Sequence, residues 1–178
     1  PVARASTTIN LGTTYGVYVS GKYAYVTTRS NNRLCIYDIS NPDSIVTKAY
    51  TSVSGPREGV FVSGRYAYVG SYDNDQLRIF DISNPSSIMV KGTTTDNLDG
   101  PRDLCVSGKY AYVASNVNGR LCIFDVSHPD SIVAKAFTTV GLSAPYGITV
   151  RGKYVYVVDA TNATLCIFDI SDPDSIVT

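Results

Sequence analysis

The stretch from Gly21 to Ile45, GKYAYVTTRSNNRLCIYDISNPDSI, returns three more times with its spacing nearly intact, as GRYAYVGSYDNDQLRIFDISNPSSI, GKYAYVASNVNGRLCIFDVSHPDSI and GKYVYVVDATNATLCIFDISDPDSI. Its first Tyr steps through Tyr23, Tyr66, Tyr110 and Tyr154, a period of 43, 44 and 44 residues. A fixed period in the forties built from short β-type runs marks a propeller blade or a solenoid coil. Four copies fill the 178 residues, so they must share a core, and one domain over 1–178 is expected. The expected blades run over about 12–54, 55–98, 99–142, and 143–178 plus 1–11.

Each copy reads as four strands. GVYVS, GVFVS, DLCVS and GITVR alternate as a short half-buried strand, and a Ser-Gly or Arg-Gly turn follows, where Gly supplies a positive φ. In KYAYV, Tyr23 and Tyr25 share one face and Ala24 and Val26 the other. In LCIYDIS, Leu34 and Ile36 point one way while Cys35, Tyr37 and Ile39 point the other, so both faces are apolar, as in a strand held between two layers. The NPDS-type turn uses Pro42, Pro85, Pro129 and Pro173 to preset φ, and a fourth strand, IVTKAYTSV and its echoes, completes the unit.

The fourth copy breaks off at Ile176-Val177-Thr178, and the opening PVARASTTINLGTTYG aligns without a gap to IVAKAFTTVGLSAPYG, placing Val2 on Val133, Arg4 on Lys135 and Ile9 on Val140. The leading segment is therefore expected to supply the outer strand of the last blade, closing an all-β propeller of four four-stranded blades without free sheet edges. A linear solenoid would want polar caps at both ends, and none is evident.

The four LxIxDISxP segments and the KYAYV runs resemble the LVIVD repeat, a relative of YVTN-type repeats, over nearly the whole chain. The resemblance implies a β-propeller, often extracellular or attached to the cell surface. Propellers of that family generally have more than four blades, which raises an alternative: two chains exchange Val2 to Ile9 and form one eight-bladed ring as a homodimer.

Composition excludes several functions. Lys plus Arg and Asp plus Glu are both 15, so no long-range field favours nucleic acid or an anionic membrane. No apolar run approaches the roughly 18 residues of a membrane span. The chain opens on Pro1 with neither an initiator Met nor a signal-peptide pattern and reads as a mature or trimmed product. Of the four Cys, Cys35, Cys122 and Cys166 hold one place in different repeats, with Arg78 there in the second. Equivalent points on stacked sheets lie about 10 Å apart, beyond the roughly 7 Å limit for a disulfide, so packed free thiols are expected.

In a propeller the connections alternate sides. One side holds the repeated SGK and NPDS turns, and their repetition is explained by folding. The other holds the segments that differ, 27–33, 70–76, 114–120 and 158–164, and the linkers near Tyr15, Glu58, Arg102 and Tyr146. Asp38, Asp81, Asp125 and Asp169 recur in every copy and are read as turn acceptors rather than general acids. Arg4, Lys48, Lys91 and Lys135 are read as solvent-side charges that discourage edge pairing.

Near the presumed axis, Arg57, Glu58, Arg102 and Asp103 lie beside Tyr15 and Tyr146, a mixture suited to hydrogen-bonding and stacking on a polar ligand such as a sugar. Asp73, Asp75, Asp96 and Asp99 form an oxygen-rich group that could hold Ca²⁺, although their spacing is not a Ca²⁺-loop signature. His128 is the only His and sits in a structural turn, no nucleophile–base pair can be drawn, and no phosphate-binding Gly loop is present, so no enzyme and no required cofactor are expected. Asn162-Ala163-Thr164 matches a glycosylation sequon. Together these readings give a non-enzymatic binding or scaffold propeller, extracellular or at the cell surface, with protein partners or self-association. The alternative is a carbohydrate or small-ligand binder that uses the variable side.

Overall fold

The computed structural model describes residues 2–177, with the side chains of Arg57, Glu58 and Val177 outside the description. Among the described residues, sixteen strands form four antiparallel sheets of four, each ordered as its strands follow in the chain. Blade one is β1 (Thr14–Ser20), β2 (Tyr23–Thr28), β3 (Arg33–Asn41) and β4 (Ser44–Ser52). Blade two is β5 (Pro56–Ser63), β6 (Tyr66–Ser71), β7 (Gln76–Asp81) and β8 (Met89–Thr94). Blade three is β9 (Pro101–Ser107), β10 (Tyr110–Ser115), β11 (Arg120–Asp125) and β12 (Val133–Thr138). Blade four is β13 (Pro145–Arg151), β14 (Tyr154–Asp159), β15 (Thr164–Asp172) and β16 (Ser175–Val177). Among the described residues no helix is long and apolar enough to cross a membrane.

The register repeats with the sequence: Tyr23, Tyr66, Tyr110 and Tyr154 face Asp38, Asp81, Asp125 and Asp169. The first turn is Gly21-Lys22, one residue later than the Ser-Gly turn expected, because Ser20 still pairs with Tyr23. Gly21 has φ 57°, the value a type II′ hairpin needs at its first central residue, where a Cβ would be strained.

The blades stack through the two apolar faces expected of strand three. Tyr25, Leu34 and Ile36 of blade one pack on Val60, Val62, Ala67, Val69 and Phe80 of blade two. The same sets meet between blades two and three and between blades three and four. Inner strands β1, β5, β9 and β13 lie side by side along the axis, drawn close by small residues. A Cβ on Gly59 would stand 3.0 Å from the Arg102 carbonyl oxygen, so β5 could not approach β9 with a larger residue there.

Closure differs from expectation. The sheet of blade four contains β13 to β16 alone, and Val177 already stands opposite Asp169, the place the alignment gives to Val2. The leading segment lies instead against blade one, held by polar and ionic anchors there: Arg4 to Asp43 at 2.7 Å, the Tyr37 hydroxyl to the Ile9 carbonyl at 2.6 Å, and Arg33 to the Asn10 side chain at 3.0 Å. The four blades thus form an arc whose two ends are not joined by a sheet.

Candidate functional site

On the constant side, each recurring Asp is consumed by folding. One carboxylate oxygen accepts the backbone N–H two residues on, from Ser40, Ser83, Ser127 and Ser171, at 2.8–3.0 Å. The other oxygen faces the cation of the SGK-type turn: Lys22 at 3.9 Å, Arg65 at 2.7 Å, Lys109 at 3.2 Å and Lys153 at 3.0 Å. The Ser hydroxyl and N–H, followed by the Arg or Lys, hold the carboxyls of Asp81, Asp125 and Asp169 down at about 2. A group so far below neutral and so fully bonded is a permanently charged acceptor, not a proton donor.

The outer-strand cations are not idle solvent charges. Lys91 reaches Asp130 at 3.0 Å and Lys135 reaches Asp174 at 2.7 Å, as Arg4 reaches Asp43. Each ties an outer strand, or the segment in its place, to the NPDS-type turn of the blade that follows. Lys48 holds the same repeat position, and the turn of the following blade carries Ser86 where the others have Asp. Reading charges strand by strand missed this because the partners lie one blade away.

The cysteines are free, and Cys35, Cys105 and Cys122 are buried, as expected of packed thiols. Burial pushes the thiols of Cys105 and Cys122 up to about 12, far from the thiolate needed of a nucleophile.

The acidic group of the variable side is divided by its contacts. The Asp75 carboxylate accepts the Gly100 N–H at 2.7 Å and Asp73 faces Arg29 at 3.5 Å, whereas Asp96 and Asp99 enter hydrogen bonds through their backbones. Among the described residues, no three His, Cys, Asp or Glu converge as a metal site.

Near the axis, the Arg102 guanidinium lies 3.6 Å from the centre of the Tyr146 ring and donates to its hydroxyl. Asp103, beside it, accepts the Leu104 N–H at 2.9 Å and the Ile148 N–H at 3.1 Å, so it fastens β9 to β13. Tyr15 takes the position of Tyr146 on β1, at the other end of the arc. The side chains of Arg57 and Glu58 lie outside the described residues. The structure therefore joins Arg102 to Tyr146 and gives Asp103 a structural duty.

Sequence reasoning missed the clamps at the end of strand two. The Ser71 hydroxyl donates to the Ser54 carbonyl, and the Ser115 hydroxyl donates to the Asp99 carbonyl at 3.0 Å. In blade four Asp159 replaces this Ser and accepts the N–H groups of Ser143, Ala144 and Asn162 at 2.7–2.8 Å. Burial works to raise that carboxyl, but the backbone donors outweigh it and hold it below the usual range. The change from Ser to Asp at one repeat position was the available signal.

The LVIVD repeat family model matches residues 11–50, 54–96, 101–138 and 146–177. The chain belongs to the LVIVD repeat family. Comparison with curated proteins finds no match. Among solved structures, the chain is similar to Kuenenia stuttgartiensis hydrazine synthase, at 18% identity and TM-score 0.77, over 94% of this chain and 49% of that one. It is similar to the Pseudomonas aeruginosa periplasmic gluconolactonase PpgL, at 17% identity and TM-score 0.79, over 93% and 52%. It also resembles a putative 6-phosphogluconolactonase from Bacteroides fragilis, at 22% identity and TM-score 0.74, over 88% and 50%. The LVIVD chain spans about half the length of these structures, and at such identities the likeness is one of fold.

Proposed function

We propose that this LVIVD-repeat propeller is a non-enzymatic binding module, working outside the cell or at its surface, that recognises a partner through its variable side around Arg102 and Tyr146. The observation that carries the reading is the division of labour between the two sides. The recurring carboxylates and buried thiols are committed to turns and core, while Arg102 and Tyr146 come together on the side whose segments differ between blades. A guanidinium stacked on a phenol offers in-plane donors beside an apolar ring edge, which suits a polar partner.

The second reading is a carbohydrate ligand, favoured by that same flat, donor-rich pair. A glycan array run with and without Ca²⁺ tests it: binding that falls at least tenfold in Arg102→Ala and Tyr146→Ala supports it, and a flat response removes it. Because two of the similar structures are a gluconolactonase and a putative 6-phosphogluconolactonase, hydrolysis of 6-phosphogluconolactone tests the non-enzymatic reading. The expected rate equals that of buffer, and a protein-dependent rate lowered by Arg102→Ala would sink it.

A further inference from the structure

The two ends of the arc are the two halves of one blade–blade interface. Inside the arc, Leu121 and Ile123 of β11 pack against Val155, Val157, Phe168 and Ile170 of blade four. At the far end, the residues equivalent to Leu121 and Ile123 are Leu165 and Ile167, which stand 62% and 51% exposed. At the near end, the equivalents of Val155, Val157, Phe168 and Ile170 are Ala24, Val26, Tyr37 and Ile39. Those four line a mainly apolar groove of about 290 Å³, together with Ser6, Thr7, Leu11 and Ile45; the leading segment covers part of it, so that Ala24 and Tyr37 are buried. Val17 on β1, whose counterparts Val60, Leu104 and Ile148 are buried, is 66% exposed beside it. The chain thus carries an uncovered Leu-Ile ridge at one end and, at the other, the matching groove, lined in part by its own leading segment.

The leading segment stands ready at that groove. Leu11 N–H bonds the Thr8 carbonyl at 3.2 Å, as Leu98 bonds Thr95 at 3.1 Å and Leu142 bonds Thr139 at 3.0 Å. The Cys35 thiol points to the Asn10 carbonyl, as Cys122 does to Asn97 and Cys166 to Gly141. With Arg4 on Asp43 in the manner of Lys135 on Asp174, residues 4–11 sit against blade one as the outer strand and linker of a preceding blade would. Meanwhile β16 pairs with β15 at Asp169 and Asp172 and leaves Thr164 to Phe168 without an outer strand partner.

From this double complementarity we infer that the occupant of each end is a second copy of the chain, two arcs closing head to tail into one eight-bladed ring. The ridge of each copy enters the groove of the other, and residues 3–7 of each become the outer strand on the other's β15. The internal ladder between β11 and β12 dictates the register: Leu121 faces Thr138, Cys122 faces Phe137 and Ile123 faces Ala136. Thr7 of the second copy therefore faces Leu165, its Ser6 faces Cys166 and its Ala5 faces Ile167. The segment need not leave blade one for this to happen. A head-to-tail contact that closes after two copies leaves no surface for a third, so the assembly is finite. The inference does not depend on what the variable side binds.

The test combines mass and a covalent trap. By light scattering, the wild-type chain has twice the 19.2 kDa of one copy, and Leu165→Lys, at an exposed position, has the single mass with an unchanged far-UV spectrum. Ser6→Cys places a thiol across the ladder from Cys166, at the cross-strand spacing of about 4.5–5.5 Å that a disulfide tolerates. Under mild oxidation it yields a linked pair of chains, which disappears when Cys166→Ser is added. A wild type of single mass, a Leu165→Lys variant that keeps the double mass, or a Ser6→Cys link formed within one chain each overturns the inference. The last of these would mean that the arc closes on itself.

Discussion

Blades three and four share nearly every residue of the repeat, yet they live in different surroundings. Leu121 and Ile123 are wholly buried because blade four lies over them, while Leu165 and Ile167, in the same strand and register, face outward. The opposite face behaves the other way: Phe124 and Phe168 are both fully buried, because each is covered by the blade before it. A blade therefore supplies only half of each of two cores, and its stability depends on which neighbour it has.

The largest expected effect separates the two blades directly. In a chain held to a single copy by Ile167→Lys, Leu121→Ala costs about 2–5 kcal/mol in urea unfolding, from lost burial plus the residual cavity. Leu165→Ala costs under about 0.5 kcal/mol in the same background, as an exposed substitution should. Equal costs would break the comparison, because they would require something to cover blade four within one chain.

Acid comes next. Asp81 and Asp125 have native carboxyls at about 2, below the ordinary 3.8, so the stability they supply is complete above the ordinary value and drains as pH falls through about 2. Asp81→Asn is expected to cost about 1 kcal/mol near neutral pH and to flatten the stability curve between those two values. An unchanged slope would show that the carboxyl is not the acceptor described.

Smaller effects sharpen the picture at the loops. Gly119 of blade three and Ala163 of blade four hold the same left-handed position, with φ 64° and 51°. Ala163→Gly is expected to raise stability by about 1 kcal/mol by removing a Cβ from that conformation. Gly119→Ala should cost at least as much, since its Cβ would also meet the Ser143 carbonyl at 3.0 Å. Smallest of all, Ser86→Asp offers Lys48 the partner that Lys91 and Lys135 already have, for a gain of about 0.2–1 kcal/mol that fades at high salt.

The turn duty of the four Asp and the nearness of Arg102 to Tyr146 were legible, because both follow from places in the repeat; which of the neighbouring residues Arg102 would contact was not. Other duties were not legible. In the sequence Asp103 reads as a ligand contact and Asp75 as a Ca²⁺ contact because the N–H donors that engage them from elsewhere, Ile148 and Gly100, lie 45 and 25 residues away.

What the sequence by itself determined is the blade: four strands, their register, their turns and two apolar faces. These rest on contacts within one period of about 44 residues, and each copy repeats the instruction. Only the tertiary structure decided which faces are covered, where the outer-strand cations find their carboxylates, and that residues 4–11 lie on blade one. Those outcomes belong to stacking, and identical repeats cannot encode their own position in a stack: a Leu in the third strand is core or surface according to whether another sheet follows it.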